Sequence, residues 1–100
     1  MARDDVIYLI KGSESAHGVH TQVVQTEREV FCRVRSVGRS EFYTALNAGM
    51  QPEYVFVVSV ADEYEGERKL RYRDRILDVV RTYEPDDGSI EITAGRSDDG

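Results

Sequence analysis

Two groups of side chains in this chain have residue types that could carry out chemistry. His17 and His20 are separated only by a glycine and a valine, so their imidazoles could bind a metal ion. The context is not helical and no third ligand is close in sequence, so solvent-exposed loop histidines are the simpler interpretation. Cys32 could act as a nucleophile, but it alternates with Val30 and Val34 on one face, which is typical of a buried structural thiol.

Three carboxylates alternate through a short acidic turn, at Glu63, Glu65 and Glu67. They could form a calcium or acid–base site, but their spacing is not that of an EF-hand loop. A solvated hairpin tip is the simpler interpretation. The functional alternative is an acidic rim that repels phosphate groups.

The next segment carries a cation at every second residue, so one face of a strand would be basic. Such a face could follow the phosphate backbone of a nucleic acid. The alternative is an outer sheet face whose cations pair with carboxylates across the sheet and so protect an edge. The cations are Lys69, Arg71, Arg73 and Arg75, and the candidate carboxylates are Glu65, Glu67, Asp78 and Glu91.

Composition narrows the classes of function. The 100 residues predict a single domain, 1–100, and the net charge of −6 disfavours a protein that grips the outside of a nucleic acid. One cysteine excludes an intrachain disulfide, and the longest apolar run, Tyr54–Val58, is far shorter than the roughly 18 residues of a membrane span. No phosphate loop, triad order or catalytic carboxylate pair stands out, so we expect no enzymatic activity, cofactor or membrane partner. A small enzyme with titratable groups in a cleft is an alternative.

Apolar residues recur mostly with a period of two, which predicts β-strands. Ser40 as N-cap and Gly49 as the residue beyond the end bound one short helix with an apolar stripe. The sequence therefore predicts a mainly β fold: a small β-barrel or sandwich of six to seven antiparallel strands with one inserted helix at about residues 40–49. The predicted strands are Val6–Ile10, two runs within Val19–Arg35, Glu53–Ala61, Arg68–Arg73, Ile76–Tyr83 and Ile90–Ala94, with turns at Glu14–Gly18, Asp62–Glu67 and Glu84–Ser89 and a disordered tail at 96–100.

The middle of the chain resembles the head–tail joining proteins of tailed bacteriophages, also called head-closure or stopper proteins. In that family a valine- and phenylalanine-rich strand leads into a helix, then a glycine, a proline and a strongly apolar strand. The matching residues here are Glu41-Phe42-Tyr43, Ala45, Gly49, Pro52 and Val55–Val60. The likeness covers roughly residues 5–95 and continues in Glu63–Glu67, Val79–Tyr83 and Ile90–Ile92. It departs at Arg73–Arg75, where the family often has a glycine, and at Leu77, where an aromatic is common.

The resemblance implies a virion assembly protein without enzymatic activity, assembled in the bacterial cytoplasm and located at the head–tail connector. Copies would form a ring beneath the portal and close its channel after DNA packaging. The ring would join portal or adaptor proteins of the head to a tail completion or tail tube protein. Packaged double-stranded DNA would be contacted only non-specifically. Tail completion is an alternative role in the same virion.

Within that expectation, the segment around the helix is predicted to bind neighbouring copies or the adaptor, through Arg39, Glu41, Phe42, Tyr43, Leu46 and Met50. Docking of Phe42, Tyr43 and Leu46 into the core is the competing interpretation. Acidic loops that face the channel would let DNA slide without sticking, and their candidates are Glu63, Glu65, Glu67, Asp86 and Asp87. The alternative function is a small-barrel nucleic-acid-binding module that uses the Lys69, Arg71 and Arg73 face.

Overall fold

Six antiparallel strands close into a barrel in the computed structural model, which describes residues 3–17 and 20–97. Side chains at 13–17, 20–24 and 97 are outside this description. The strands are β1 (Arg3–His17), β2 (His20–Arg35), β3 (Met50–Val58), β4 (Lys69–Tyr72), β5 (Arg75–Tyr83) and β6 (Ile90–Ser97). Helix α1 spans Arg39–Asn47, and one 3-10 turn spans Ala61–Glu63. The strand order is β1-β2-β3-β6-β5-β4, and β4 pairs back with β1, which confirms the predicted mainly β fold with one short helix.

Alternate residues of each strand fill the barrel interior. In β2, Val30, Cys32 and Val34 are buried, whereas Phe31 between them is 74% exposed. Successive strand residues point to opposite faces, so the inward face predicted for this segment is confirmed. The other strands complete the core with Ile7, Leu9, Phe56, Val58, Leu70, Tyr72, Leu77, Ile90, Ile92 and Ala94.

β1 and β2 extend beyond the barrel as a two-stranded ribbon. β1 pairs with β4 only from Tyr8 to Ile10, whereas its ladder with β2 continues until His17 lies opposite His20. The predicted turn at Glu14–Gly18 was therefore wrong for residues 14–17, and the two predicted runs before residue 35 are one strand. Serine and glutamate favour strands weakly, but pairing with a valine- and threonine-rich partner overrides that preference.

Helix α1 begins earlier than the sequence predicted, because Gly38 and not Ser40 is its N-cap. The backbone N–H of Phe42 donates to the Gly38 carbonyl at 2.9 Å and closes the first turn. At the other end, Gly49 has a φ of +79°, so its predicted place just beyond the helix is confirmed. The helix lies between β2 and β3 in sequence and contacts β3.

Gly95 is required where β6 passes β3. A Cβ atom at this position would lie 1.9 Å from the backbone oxygen of Gln51 and 2.7 Å from the Cα of Pro52. Next to this crossing, the ladder between β3 and β6 has an irregularity between Pro52 and Tyr54. Only a residue without a side chain fits this crossing.

The end of β6 lies later than expected. Arg96 and Ser97 pair with Gln51 and Met50, so the predicted disordered tail was wrong at these two residues. Residues 98–100 lie outside the described part of the chain. Within the described part, none of the helices is long and apolar enough to cross a membrane.

Candidate assembly surfaces

The outer face of α1 carries three large apolar side chains. Phe42 and Leu46 are each 39% exposed, and Tyr43 is 59% exposed. The rings of Phe42 and Tyr43 meet edge to face with their centroids 5.9 Å apart. Ala45 is the buried residue of this helix, whereas Phe42, Tyr43 and Leu46 are each only partly buried.

Glu41 fixes α1 to the barrel wall. Thr93 Oγ1 on β6 donates a hydrogen bond to Glu41 Oε2 at 3.1 Å, and Arg35 Nη2 lies 3.8 Å from Glu41 Oε1. The same Arg35 nitrogen donates to Glu91 Oε1 at 2.6 Å. The Arg35 guanidinium thus bridges the carboxylate of Glu41 on α1 and the carboxylate of Glu91 on β6. Through these contacts, Glu41 holds the inner side of α1 against the barrel.

A surface groove of about 240 Å³ lies beside α1 and extends onto β5 and β6. Tyr83 in this groove is 55% exposed, and Arg81 is an exposed cation without an ion-pair partner among the described residues. The sequence did not predict either residue at an assembly surface. Their only signal was an aromatic residue, Tyr83, at the end of the predicted strand Ile76–Tyr83. The lining residues are Glu41, Arg81, Tyr83, Glu91 and Thr93.

The remaining predicted interface residues lie at the two ends of the inserted segment. Arg39 is the first residue of α1 and is exposed, so it shares the helix with Phe42, Tyr43 and Leu46. Met50 is half-buried at the start of β3. The helix therefore brings most of the predicted interface together, and Met50 belongs to the barrel wall.

Glu67 is not at the surface, in contrast to its predicted place on an acidic rim. Its side chain is fully buried, and Glu67 Oε1 accepts a hydrogen bond from the Glu65 backbone N–H at 2.7 Å. Glu67 Oε2 lies 3.0 Å from Arg28 Nη2. Arg28 Nη2 also donates a hydrogen bond to the Glu63 carbonyl oxygen. Glu67 Oε2 is therefore held by charge attraction to Arg28, without a well-directed hydrogen bond. Glu67 is therefore a structural anchor for the turn, because Arg28 approaches it from β2.

The exposed acids come from two loops that meet. The Ala61 N–H, at the start of the first loop, donates to the Gly88 carbonyl of the second at 2.8 Å. Glu63 and Asp86 are exposed on these loops. Asp87 Oδ1 accepts hydrogen bonds from the Ser89 hydroxyl and N–H, at 2.6 and 3.0 Å, which lower the pKa of Asp87.

Glu65 is the remaining member of the acidic turn, and it faces the base of the ribbon. Its carboxylate lies 3.3 Å from Lys11 Nζ and 3.6 Å from Arg28 Nη1. Of the five predicted channel-facing acids, Glu63, Asp86 and Asp87 are thus exposed without such an ion pair among the described residues.

Every cation of the predicted basic face has a carboxylate partner. The outer-face interpretation predicted such pairs, but only one of the predicted partners, Asp78, was correct. The acids of β1 and β2 are within reach because the barrel closes between β1 and β4, whereas Glu53 of β3 lies across β6 from β5. The pairs are Lys69–Asp78 (2.7 Å), Arg71–Glu27 (2.7 Å), Arg73–Asp5 (3.2 Å) and Arg75–Glu53 (2.7 Å).

Cys32 is a buried thiol, as the sequence indicated. Its Sγ donates to the Asp5 carbonyl at 3.6 Å. Burial, assisted by the nearby charges of Asp5 and Asp4, raises the pKa of this thiol to about 12. A thiol with such a pKa stays protonated near neutral pH and is a poor nucleophile.

The two histidines lie at strand ends, so the predicted loop placement was wrong for their backbones. His17 and His20 are direct partners in the β1–β2 ladder. Their side chains are outside the description. Among the residues it covers, no group of three or more His, Cys, Asp or Glu could hold a metal ion.

Sequence reasoning missed a polar network at one end of the barrel. The Tyr72 hydroxyl accepts from Arg3 Nη2 at 2.7 Å and donates to Asp5 Oδ2 at 2.9 Å. Arg73 Nη2 also donates to Asp5 Oδ2, at 3.2 Å. The Val6 N–H bonds to Asp5 Oδ1 and contributes most to the lowered pKa of Asp5. The network fastens β1 to the β4–β5 turn, where the barrel closes.

Comparison with known proteins finds no family model that matches this chain and no matching curated protein.

Proposed function

We propose that this chain is a structural protein of a tailed-phage virion, which joins the head connector to the tail and closes the portal channel after DNA packaging. The observation that carries this proposal is α1, a helix fastened to the barrel through Glu41 that exposes Phe42, Tyr43 and Leu46. Part of the resemblance to the head–tail joining family, Glu41-Phe42-Tyr43 and Ala45, lies in this same helix. The resemblance also implies a small β-barrel or sandwich with an inserted helical loop, and the barrel with α1 between β2 and β3 agrees with that fold.

A ring of identical subunits needs a surface on each copy that binds a different surface on the next. The exposed face of α1 is one such surface, and the Arg81 and Tyr83 groove beside it extends it. Complete burial of a large apolar side chain stabilises by about 1.5–3 kcal/mol. Since roughly half of each of the three side chains remains exposed, a neighbour that covered them would gain roughly 3 kcal/mol.

In this proposal the ring contacts portal or adaptor proteins on one side and a tail completion or tail tube protein on the other. It acts without catalysis, is assembled in the host cytoplasm and stays in the virion. Glu63, Asp86 and Asp87 form an acidic end that repels DNA phosphates, so DNA passes without specific contacts. Glu67 has no part in this, because it is buried.

The nucleic-acid-binding alternative is less well supported. Its cations, Lys69, Arg71 and Arg73, all lie in ion pairs. A nucleic acid would have to displace those carboxylates before it gained the counterion release that drives such binding. No observation on the Lys69, Arg71 and Arg73 face favours binding of a nucleic acid over the ion pairs that these described cations already make.

The test uses a phage that lacks this gene, supplied with variants from a plasmid. The helix variant combines Tyr43→Glu with Leu46→Glu. The matched control combines Phe31→Glu with Ile76→Glu, which replaces one exposed aromatic and one exposed aliphatic residue on the barrel. Denaturant midpoints of the purified chains establish that both variants fold.

Without the gene, we expect separate tails beside unjoined heads that have lost their DNA, as seen by electron microscopy. The wild type and the control restore joining, and the helix variant does not. Intact infectious virions without the gene would overturn the proposed function. Full restoration by the helix variant would overturn the role of α1.

A further inference from the structure

Among the described residues, no strand pairs with the two outer edges of the ribbon formed by residues 11–17 and 20–26. β1 leaves β4 after Ile10, and β2 pairs with β3 only over Arg33–Arg35. Along such edges, alternate residues direct their N–H and C=O groups away from the ribbon. The molecule measures 49 × 29 × 27 Å, and a ribbon of this length contributes about 20 Å to its long axis.

The composition of this segment does not protect the free edges. Among residues 12–26, only Glu14 carries a full charge and none is proline, in a chain that is 32% charged. Monomeric proteins usually guard such edges with lysine, proline or bulges. Four β-branched residues, which favour strands, lie instead on β2: Thr21, Val23, Val24 and Thr26. Such a composition suits edges that another strand covers.

Ion pairs join the base of the ribbon, at Lys11 and Arg28, to the acidic turn at Glu63–Glu67. Arg28 on β2 lies 3.0 Å from buried Glu67 and 3.6 Å from Glu65, and Lys11 on β1 lies 3.3 Å from Glu65. An isolated two-stranded hairpin is marginal in water, so this anchorage sets the direction in which the ribbon projects. A projection fixed in advance loses less entropy when it binds.

We infer that this ribbon pairs edge to edge with the ribbon of a second copy of the chain. The barrel is closed, so the part of the chain described offers no other strand pair with both edges free over such a length. When two copies lie side by side with their ribbons pointing the same way, β2 of one copy faces β1 of the next. These strands are antiparallel, so their edges can form a regular ladder. Each copy uses a different edge for each neighbour, which is the head-to-tail arrangement that closes into a ring.

Only the closure of the ring depends on the proposed function. The edge pairing is tested on the purified full-length chain, by light scattering of the oligomer mass and amide hydrogen exchange over a concentration series up to the solubility limit. One variant combines Thr21→Lys with Val23→Lys, and its control combines Thr82→Lys with Ile76→Lys on β5. A second variant replaces residues 13–24 with Asn-Gly, a dipeptide that favours a two-residue hairpin turn, and so leaves the barrel intact.

We expect the mass of the wild type and the control to rise with concentration, with exchange slowing on both ribbon strands. The Lys variant and the shortened variant should associate at least about tenfold more weakly, with unchanged barrel amides. A chain that stays monomeric, an oligomer with unprotected ribbon amides, or equal association of the variants would overturn the inference. Protection of one strand only would indicate a two-fold dimer and overturn the head-to-tail arrangement. A phage that joins heads to tails without this gene would refute the proposed function and leave the exchange result standing.

Discussion

Replacing Gly95 with alanine tests the close crossing of β3 and β6. The added Cβ would lie 1.9 Å from the Gln51 oxygen, more than 1 Å inside the normal contact distance, and 2.7 Å from the Pro52 Cα. Both neighbours are backbone, so no rotamer change relieves the overlap and one strand must move. Overpacking of this kind costs about 1–3 kcal/mol, and the upper end applies because two contacts are violated.

Gly12→Ala is the matched control, since this glycine also lies in a strand but its Cβ would meet nothing within 4 Å. Such a change leaves stability equal or raises it by up to about 1 kcal/mol, because alanine reduces the entropy of the unfolded chain. Urea denaturation should therefore separate the two variants by about 3 kcal/mol. In a domain of this size that equals a difference in Tm of roughly 12–24 °C. Equal stabilities would refute the reasoning from this crossing.

Three further predictions concern individual side chains. Glu67→Gln removes the buried partner of Arg28 and should lower the free energy of unfolding, measured in urea, by about 1–2 kcal/mol. Its control, Glu63→Gln at an exposed site, should change that free energy by less than about 0.5 kcal/mol. Similar losses in both variants would contradict the role of Glu67 as an anchor for the turn. Cys32, whose pKa is raised to about 12, should react with a disulfide reagent at pH ~8 only when the chain unfolds, and rapid labelling of the native chain would be inconsistent with its burial. Asp5 has a lowered pKa when folded, so its contribution is complete above the unfolded pKa and lost as the pH falls through the folded one. Asp5→Asn should therefore flatten the decline of stability below pH ~4, and an unchanged pH profile would argue against the lowered pKa that hydrogen bonds from the Val6 N–H, Tyr72 and Arg73 give Asp5.

The parts of the fold that depend on local pattern could be predicted from the sequence. The alternation of Val30, Cys32 and Val34 identified an inward face, because a strand has a fixed period of two. Gly49 marked the end of the helix, because a left-handed conformation favours glycine. The strand at residues 11–17 was missed because its stability comes from β2 and not from its own residues.

The candidate assembly surfaces were harder to predict, because they depend on contacts between residues that are far apart in the sequence. Glu63, Glu65 and Glu67 have the same spacing in sequence, yet Glu67 alone is buried, with Arg28 of another strand 3.0 Å from its carboxylate. Asp5 and Tyr72 are 67 positions apart, so no local pattern could have joined them. The exposed apolar side chains of α1 could be predicted as a group, since they follow each other closely in the chain; their role as an interface stays a prediction.

The closed strand order also has a consequence for how the chain folds. Both terminal strands are interior members of the ring: β1 lies between β2 and β4, and β6 lies between β3 and β5. The contact between Arg3 and Tyr72 spans 69 positions, so β1 must wait on the ribosome until β4 has emerged. During that delay β1 and β2 can pair with each other, because their hairpin is local, but the barrel cannot close. Folding dominated by such distant pairings is slow, so we expect this chain to close more slowly than a helical protein of equal length.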